Sequence, residues 1–310
     1  MKKKNYGKKL LAWVLALAVG MTLVPVMGQR EVQAAKIMNA WDGETTEVPK
    51  TDENGTYQIS NGAELAWFAK KVNDGASLIN GELTDKIYLG DGTSQNKWLM
   101  IGDTAEHAYK GTFNGNGYTV YFLDAEISEE NPDVRYAGLF GVVDGGTISN
   151  VKVSGEVHNN YAAYKTEGKY EKLYIGSGGI AGYLKSGTIS GCINYTETTM
   201  AGEALRRNAG GIVGICSGTV RRCVNNGTLS TKVRFAQHNI GGIAGMEVGP
   251  NAVIRYCENK EAVQGYYSVG GIAGGVYQGA AVQNCYNKAK ISGVDTIGGI
   301  AGGVNESSVY

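Results

Sequence analysis

Short apolar runs alternate with glycine-rich or polar turns along most of the chain, and one of these runs recurs six times. It is a Gly-aliphatic-x-Gly box: Gly138-Leu139-Phe140-Gly141, Gly179-Ile180-Ala181-Gly182 and Gly211-Ile212-Val213-Gly214, then Gly242-Ile243-Ala244-Gly245, Gly271-Ile272-Ala273-Gly274 and Gly299-Ile300-Ala301-Gly302. The aliphatic position falls at 139, 180, 212, 243, 272 and 300, so the gaps are 41, 32, 31, 29 and 28 residues. A second apolar stretch follows the first five boxes, as Thr147-Ile148, Thr188-Ile189, Thr219-Val220, Val253-Ile254 and Ala281-Val282. Runs this short, with no 3.6-residue period, predict strands separated by turns.

Cysteine fixes the register of the repeat. Cys192, Cys223, Cys257 and Cys285 each lie three residues after the aliphatic position of the second stretch, and Val151 takes that place in the first repeat. Two residues after each cysteine comes Asn194, Asn225, Asn259 or Asn287. Residues two apart on a strand share a face. Stacking successive repeats about 4.8 Å apart therefore aligns one column of thiols and one of amides, and the amides can bond along the stack. Glycine permits close approach of neighbouring rungs and positive φ at corners. The pattern predicts an all-β parallel solenoid, a right-handed β-helix. A β-propeller is the alternative, with longer repeats of roughly 40 to 50 residues. The long first interval holds a polar, Tyr-rich insertion at 158–172.

Upstream of the boxes the period changes. Leu65, Phe68, Ala69 and Val72 form an i, i+3, i+4, i+7 stripe within Asn61–Asp74, with Ser60 or Asn61 as N-cap and Gly75 as terminator. Strands are expected at Lys86–Leu89 and Trp98–Ile101, and Gly111–Val120 reads as strand, Asn-Gly corner and strand. A solenoid needs its first rung covered, and this helix is the candidate cap.

The N-terminus reads as a secretory signal. Lys2, Lys3, Lys4, Lys8 and Lys9 precede an apolar run from Leu10 to about Val24, and Val32-Gln33-Ala34 offers a cleavage triplet. The run is short for a span of about 20 residues, an uncleaved anchor being the alternative. The expected organisation is a signal peptide at 1–34, a cap with the first rungs at 35–135, and the repeats at 136–310. Glycine supplies 47 of 310 residues with only 4 prolines, which excludes collagen, and 43% hydrophobic residues exclude a disordered chain. The formal net charge is zero, and the mature chain carries 23 basic against 28 acidic residues, a net of −5. Charge gives no case for nucleic acid.

The Gly-Gly-Ile-Ala-Gly boxes followed by Cys-x-Asn resemble the GLUG motif of secreted bacterial proteins. Tyr57-Gln58-Ile59-Ser60-Asn61 leading into Glu64-Leu65-Ala66-Trp67-Phe68 is similar to the segment preceding such repeats, as is Gly111-Thr112-Phe113-Asn114-Gly115-Asn116-Gly117. The resemblance covers about residues 41 to 304. It implies a secreted or surface-exposed protein, and similar repeats accompany IgA-specific metallo-endopeptidases of bacterial pathogens. The motif carries no catalytic residue.

No catalytic, cofactor or metal site emerges from the residues themselves. None of His107, His158 and His238 stands in a His-Glu-x-x-His motif, and His107 reads as an exposed loop residue. No phosphate-binding loop and no calcium loop is present, Asp91-Gly92 lacking the neighbouring acids. The cysteines read as small apolar fillers of a narrow slot, with chelation or disulfide pairing along the column, or between Cys216 and Cys223, as alternatives. A polysaccharide-active β-helix needs paired carboxylates on one face. Asp144, Glu247, Glu258 and Asp295 sit at different offsets from their boxes and do not meet that need. Arg206-Arg207, Arg221-Arg222, Arg234 and Arg255 make the middle repeats basic, and Arg221 and Arg255, each two before a cysteine, are expected to stack as a solvated stripe or a site for an acidic glycan. Trp41, Trp67 and Trp98 all lie upstream, so the repeats carry no repeating tryptophan platform for sugars.

The expected function is a non-catalytic secreted or cell-surface β-helical protein for adhesion or ligand binding, its partners being host or bacterial surface glycans or proteins. The alternatives are a polysaccharide-active β-helix enzyme and the stalk of a larger secreted peptidase. Tyr310 follows the last box by about one strand, and Ser307–Tyr310 is too short for a polar closing rung, so a frame continuing downstream is expected.

Overall fold

A computed structural model describes residues 37, 39–92, 96–128, 133–160, 174–201, 207–231 and 238–310. The expected signal segment lies outside them. The chain winds as a parallel β-solenoid with one turn per box, its strands forming sheets of 14, 10 and 6 strands. One turn shows the plan. Arg207–Gly210 lies in the third sheet, Val213–Cys216 and Thr219–Arg221 in the first, and Val224–Asn225 and Leu229–Thr231 in the second. Successive turns pair in parallel, strand on equivalent strand, which excludes the propeller.

The boxes form a continuous internal column. Ile180 N–H donates to Ile212 O at 3.1 Å, Ile212 to Ile243 O at 3.0 Å and Ile243 to Ile272 O at 2.9 Å. The side chains of Leu139, Ile180, Ile212, Ile243 and Ile272 are fully buried. Each turn then bends at one left-handed residue, Asn150, Gly191, Arg222, Tyr256 or Asn284, with φ of 54°, 65°, 53°, 57° and 51°. The cysteine, or Val151, follows directly and points inward, with Cys192, Cys223 and Cys257 fully buried.

The amide column forms as the register required. Asn194 Nδ2 donates to Asn225 Oδ1 at 2.8 Å, Asn225 to Asn259 at 2.8 Å and Asn259 to Asn287 at 2.9 Å. Each amide can do this only because the box opens with glycine. A Cβ on Gly179 would stand 2.0 Å from Asn194 Oδ1, and one on Gly211 would stand 2.3 Å from Asn225 Cγ. The glycine excess and the Cys-x-Asn triplet are thus two halves of one packing arrangement.

The helix α1 spans Gly62–Asn73, and the Asn61 side chain accepts the Glu64 N–H at 2.9 Å. Its apolar stripe seals the first turns. Phe68 meets Phe113, Tyr109 and Tyr57 with ring centroids 5.6, 6.0 and 6.2 Å away. Trp98–Ile101 is not a strand. Ile101 makes a single bridge to Phe140, and the Trp98 ring is buried edge-on against Trp41. Its apolar character serves the cap core, which no period-2 pattern distinguishes from a strand. Among the described residues no helix is long and apolar enough to cross a membrane.

Candidate functional site

The left-handed corner displays the residues that flank it. The outward column before it runs Ser149, Ser190, Arg221, Arg255 and Gln283, in register. Arg221 and Arg255 are direct neighbours on adjacent turns, as the spacing predicted. The corner itself adds Arg222, exposed and linked by its N–H to Arg255 O at 3.1 Å, and Tyr256, which is 54% exposed. Three arginines therefore stand on one edge, two of them in register on adjacent turns.

Stacked like charges repel. Among the described residues, Arg221, Arg222 and Arg255 enter no ion pair. Glu258, on the strand that follows the corner, is taken instead by Lys288 at 2.5 Å and Lys260 at 3.2 Å, and Lys288 foremost holds its carboxyl below the usual range. An Arg fork left free matches carboxylate, sulfate or phosphate.

The other arginines do not join this edge. Arg207 is fully buried, its Nη1 donating to the backbone oxygens of Asn159 and Ala201, and burial lowers its pKa to about 10. It packs inside the solenoid because Arg207 and Ile175 occupy one register position of the third sheet. Arg206 and Arg234 lie outside the described residues.

All five cysteines are free thiols. Each of the four in the column donates to the carbonyl two residues before it, as Cys223 does to Arg221 O at 3.3 Å. Burial pushes the Cys216 and Cys223 thiols well up, which makes them poor nucleophiles and poor ligands.

The carboxylates need a correction. Those measured from the boxes are scattered as expected: Asp144 is paired with Lys185 at 2.8 Å, and Glu247 is fully buried in the core. The in-register acids lie elsewhere. Asp124, Glu156 and Glu197 stack on three adjacent strands of the second sheet. Sequence reasoning missed them because it tested the wrong acids: Glu156 and Glu197 both follow their box aliphatic by 17 residues. His158 stands on the same face, His107 Nδ1 lies 2.7 Å from Asp103 Oδ1, and His238 is buried in the third sheet. A groove of about 680 Å³ at the cap lies among Trp41, Asn61, Lys86 and Tyr88. The Asp42 carboxylate on its rim is spent on Thr45 and Glu44.

Comparison with known proteins agrees with the repeat. Residues 265–292 match the GLUG motif. Among solved structures, a protein described as a putative immunoglobulin A1 protease from Bacteroides ovatus superposes with a TM-score of 0.57 at 19% identity, over 85% of this chain and 78% of that one. No curated protein matches the chain.

Proposed function

We propose that the chain is an exported, surface-associated binding protein, its solenoid a rigid ruler that presents the Arg221–Arg222–Arg255 edge to an acidic glycan. The observation that carries this is the in-register pair Arg221 and Arg255, which enters no ion pair among the described residues. Like charges set side by side cost folding free energy, and an anionic polymer crossing the Arg221 and Arg255 turns would relieve that cost. Binding of this kind needs no catalytic group. The basic n-region and apolar run at the N-terminus support export.

The test is retention of the mature chain on immobilised polygalacturonate and on a sulfated glycan, against a neutral glucan. Retention on the acidic matrices should fall steeply with salt and disappear in the Arg221→Glu/Arg255→Glu variant. Unchanged retention of that variant removes the reading. Immunoglobulin A belongs in the same panel, because the structural neighbour bears a protease's name; cleavage of it would favour the peptidase-stalk alternative.

A further inference from the structure

The outer face of the second sheet holds a second constellation, independent of the arginine edge. Its central column runs Glu126, His158, Thr199, Ser230 and Gln264 on consecutive turns. The His158 ring is gripped from both sides. Its Nε2 lies 2.9 Å from Glu156 Oε2, and its Nδ1 lies 2.9 Å from Thr199 Oγ1. A carboxylate against Nε2 keeps the proton on that nitrogen. The Nδ1 lone pair is then left to accept the Thr199 hydroxyl. Carboxylate, imidazole and hydroxyl thus stand in the order that activates a hydroxyl nucleophile.

The surroundings suit that role. His158 and Glu156 side chains are 24% and 38% exposed, so the group is held yet reachable. Asp124 and Glu126 on the preceding strand do not compete for the ring. Lys97 bonds both, at 3.2 and 2.6 Å, and Asn160 Nδ2 donates to Glu126 at 2.7 Å. Glu197, on the Thr199 strand, is in register with Glu156. Glu156 foremost raises the His158 pKa. Threonine on a strand is stiff about χ1, which fixes Oγ1. Beyond Thr199, Ser230 takes the same register position on the next strand, where a hydroxyl can serve a developing oxyanion.

We propose that Glu156, His158 and Thr199 form an acyl-transfer site that hydrolyses esters, with His158 as base and Glu156 as its positioning residue. The site sits on an open sheet face, which suits an O-acyl group projecting from a polymer strand better than a small molecule needing enclosure. In the first step Thr199 Oγ bonds to the ester carbonyl carbon as its proton passes to His158 Nδ1. The tetrahedral adduct then collapses, the carbon–oxygen bond to the alcohol breaks, and the alcohol leaves with the proton from Nδ1. Water, giving a proton to Nδ1, attacks the acyl-threonine and releases the carboxylic acid. The proton returns to Thr199 Oγ. The sum is ester plus water to alcohol plus acid.

The experiment treats the full chain with a fluorophosphonate probe across pH 6 to 9, maps the adduct by peptide mass spectrometry, and follows p-nitrophenyl acetate hydrolysis in parallel. The expected adduct is on Thr199, with labelling rising with pH as His158 loses its proton. Thr199→Val should abolish it and His158→Gln should slow it at least tenfold. In Glu156→Gln the imidazole loses the carboxylate that raises its pKa, so the midpoint should move to lower pH while the plateau rate falls. A folded parent chain with no adduct, an adduct on another residue, or a pH midpoint unmoved in Glu156→Gln would overturn the assignment.

Discussion

Two columns stand four residues apart along the same turns and behave in opposite ways. Asn194, Asn225, Asn259 and Asn287 stack inside the corner, whereas Arg221 and Arg255 stack outside it. An amide is self-complementary: its NH₂ donates to the oxygen of the next, so repetition adds a hydrogen bond at each turn. A guanidinium only donates, so repetition adds repulsion and leaves every donor facing outward. A solenoid multiplies whatever its register repeats. Inside, that yields cohesion; outside, where the register sets Arg221 beside Arg255, it yields two like charges side by side.

The inner column can be broken at its glycine. In Gly211→Ala the new Cβ would lie 2.3 Å from Asn225 and 2.4 Å from Gly242 O, and a loss of about 3 kcal/mol is expected in urea unfolding. Asn225→Ala alone should cost about 2 kcal/mol, because Asn194 Nδ2, Asn259 Oδ1 and the Gly227 N–H all lose a buried partner. The double variant should cost less than the two together, since removing the amide makes room for the methyl. Strict additivity would mean that glycine and asparagine are not coupled.

Glu247 fits neither column and sharpens the contrast. It is fully buried, in register with Cys216 and Val276, and among the described residues its carboxyl meets no cation, the backbone N–H groups of Ile254 and Ala281 being its polar neighbours. Burial pushes its pKa from an ordinary 4.5 up to about 9. Below the ordinary value both states hold the proton. Above it the unfolded chain ionises while the folded one does not, so stability falls from about pH 4.5 to about pH 9 and levels beyond. Glu247→Val, copying Val276, should remove that slope and raise stability at pH 7 by about 3 kcal/mol. Parallel unfolding curves of the two proteins at pH 5 and pH 8 read the difference directly.

The outer column gives the smallest effect on stability. Arg255→Glu turns a repelling pair into an attracting one, so stability should rise by about 0.5 kcal/mol while retention on acidic glycan falls. A variant that loses stability and binding together would mean that the arginines serve the fold and not a ligand.

Much of this was legible before any coordinates. The boxes and the Cys-x-Asn triplet recur in phase, and phase is what a solenoid converts into contact. The Asn61 cap and the Leu65–Val72 stripe were equally plain, because helix periodicity is local. The Glu156–His158–Thr199 group was not, although His158 and Thr199 each follow their box aliphatic by 19 residues. Three different residue types contribute to it, so no repeated letter marks it. Arg207 misled for a related reason: composition shows a basic stretch, but only the pairing with Ile175 turns that side chain inward.

The thiol column has a consequence in time. Cys192, Cys223, Cys257 and Cys285 stand one to a turn on four successive turns, each as a free thiol. In a stack where each turn touches only its neighbours, opening spreads as a zipper from one rung to the next. The order in which these four sulfurs meet an alkylating reagent is therefore the order in which the coil unwinds, so the protein carries its own stopwatch for unravelling.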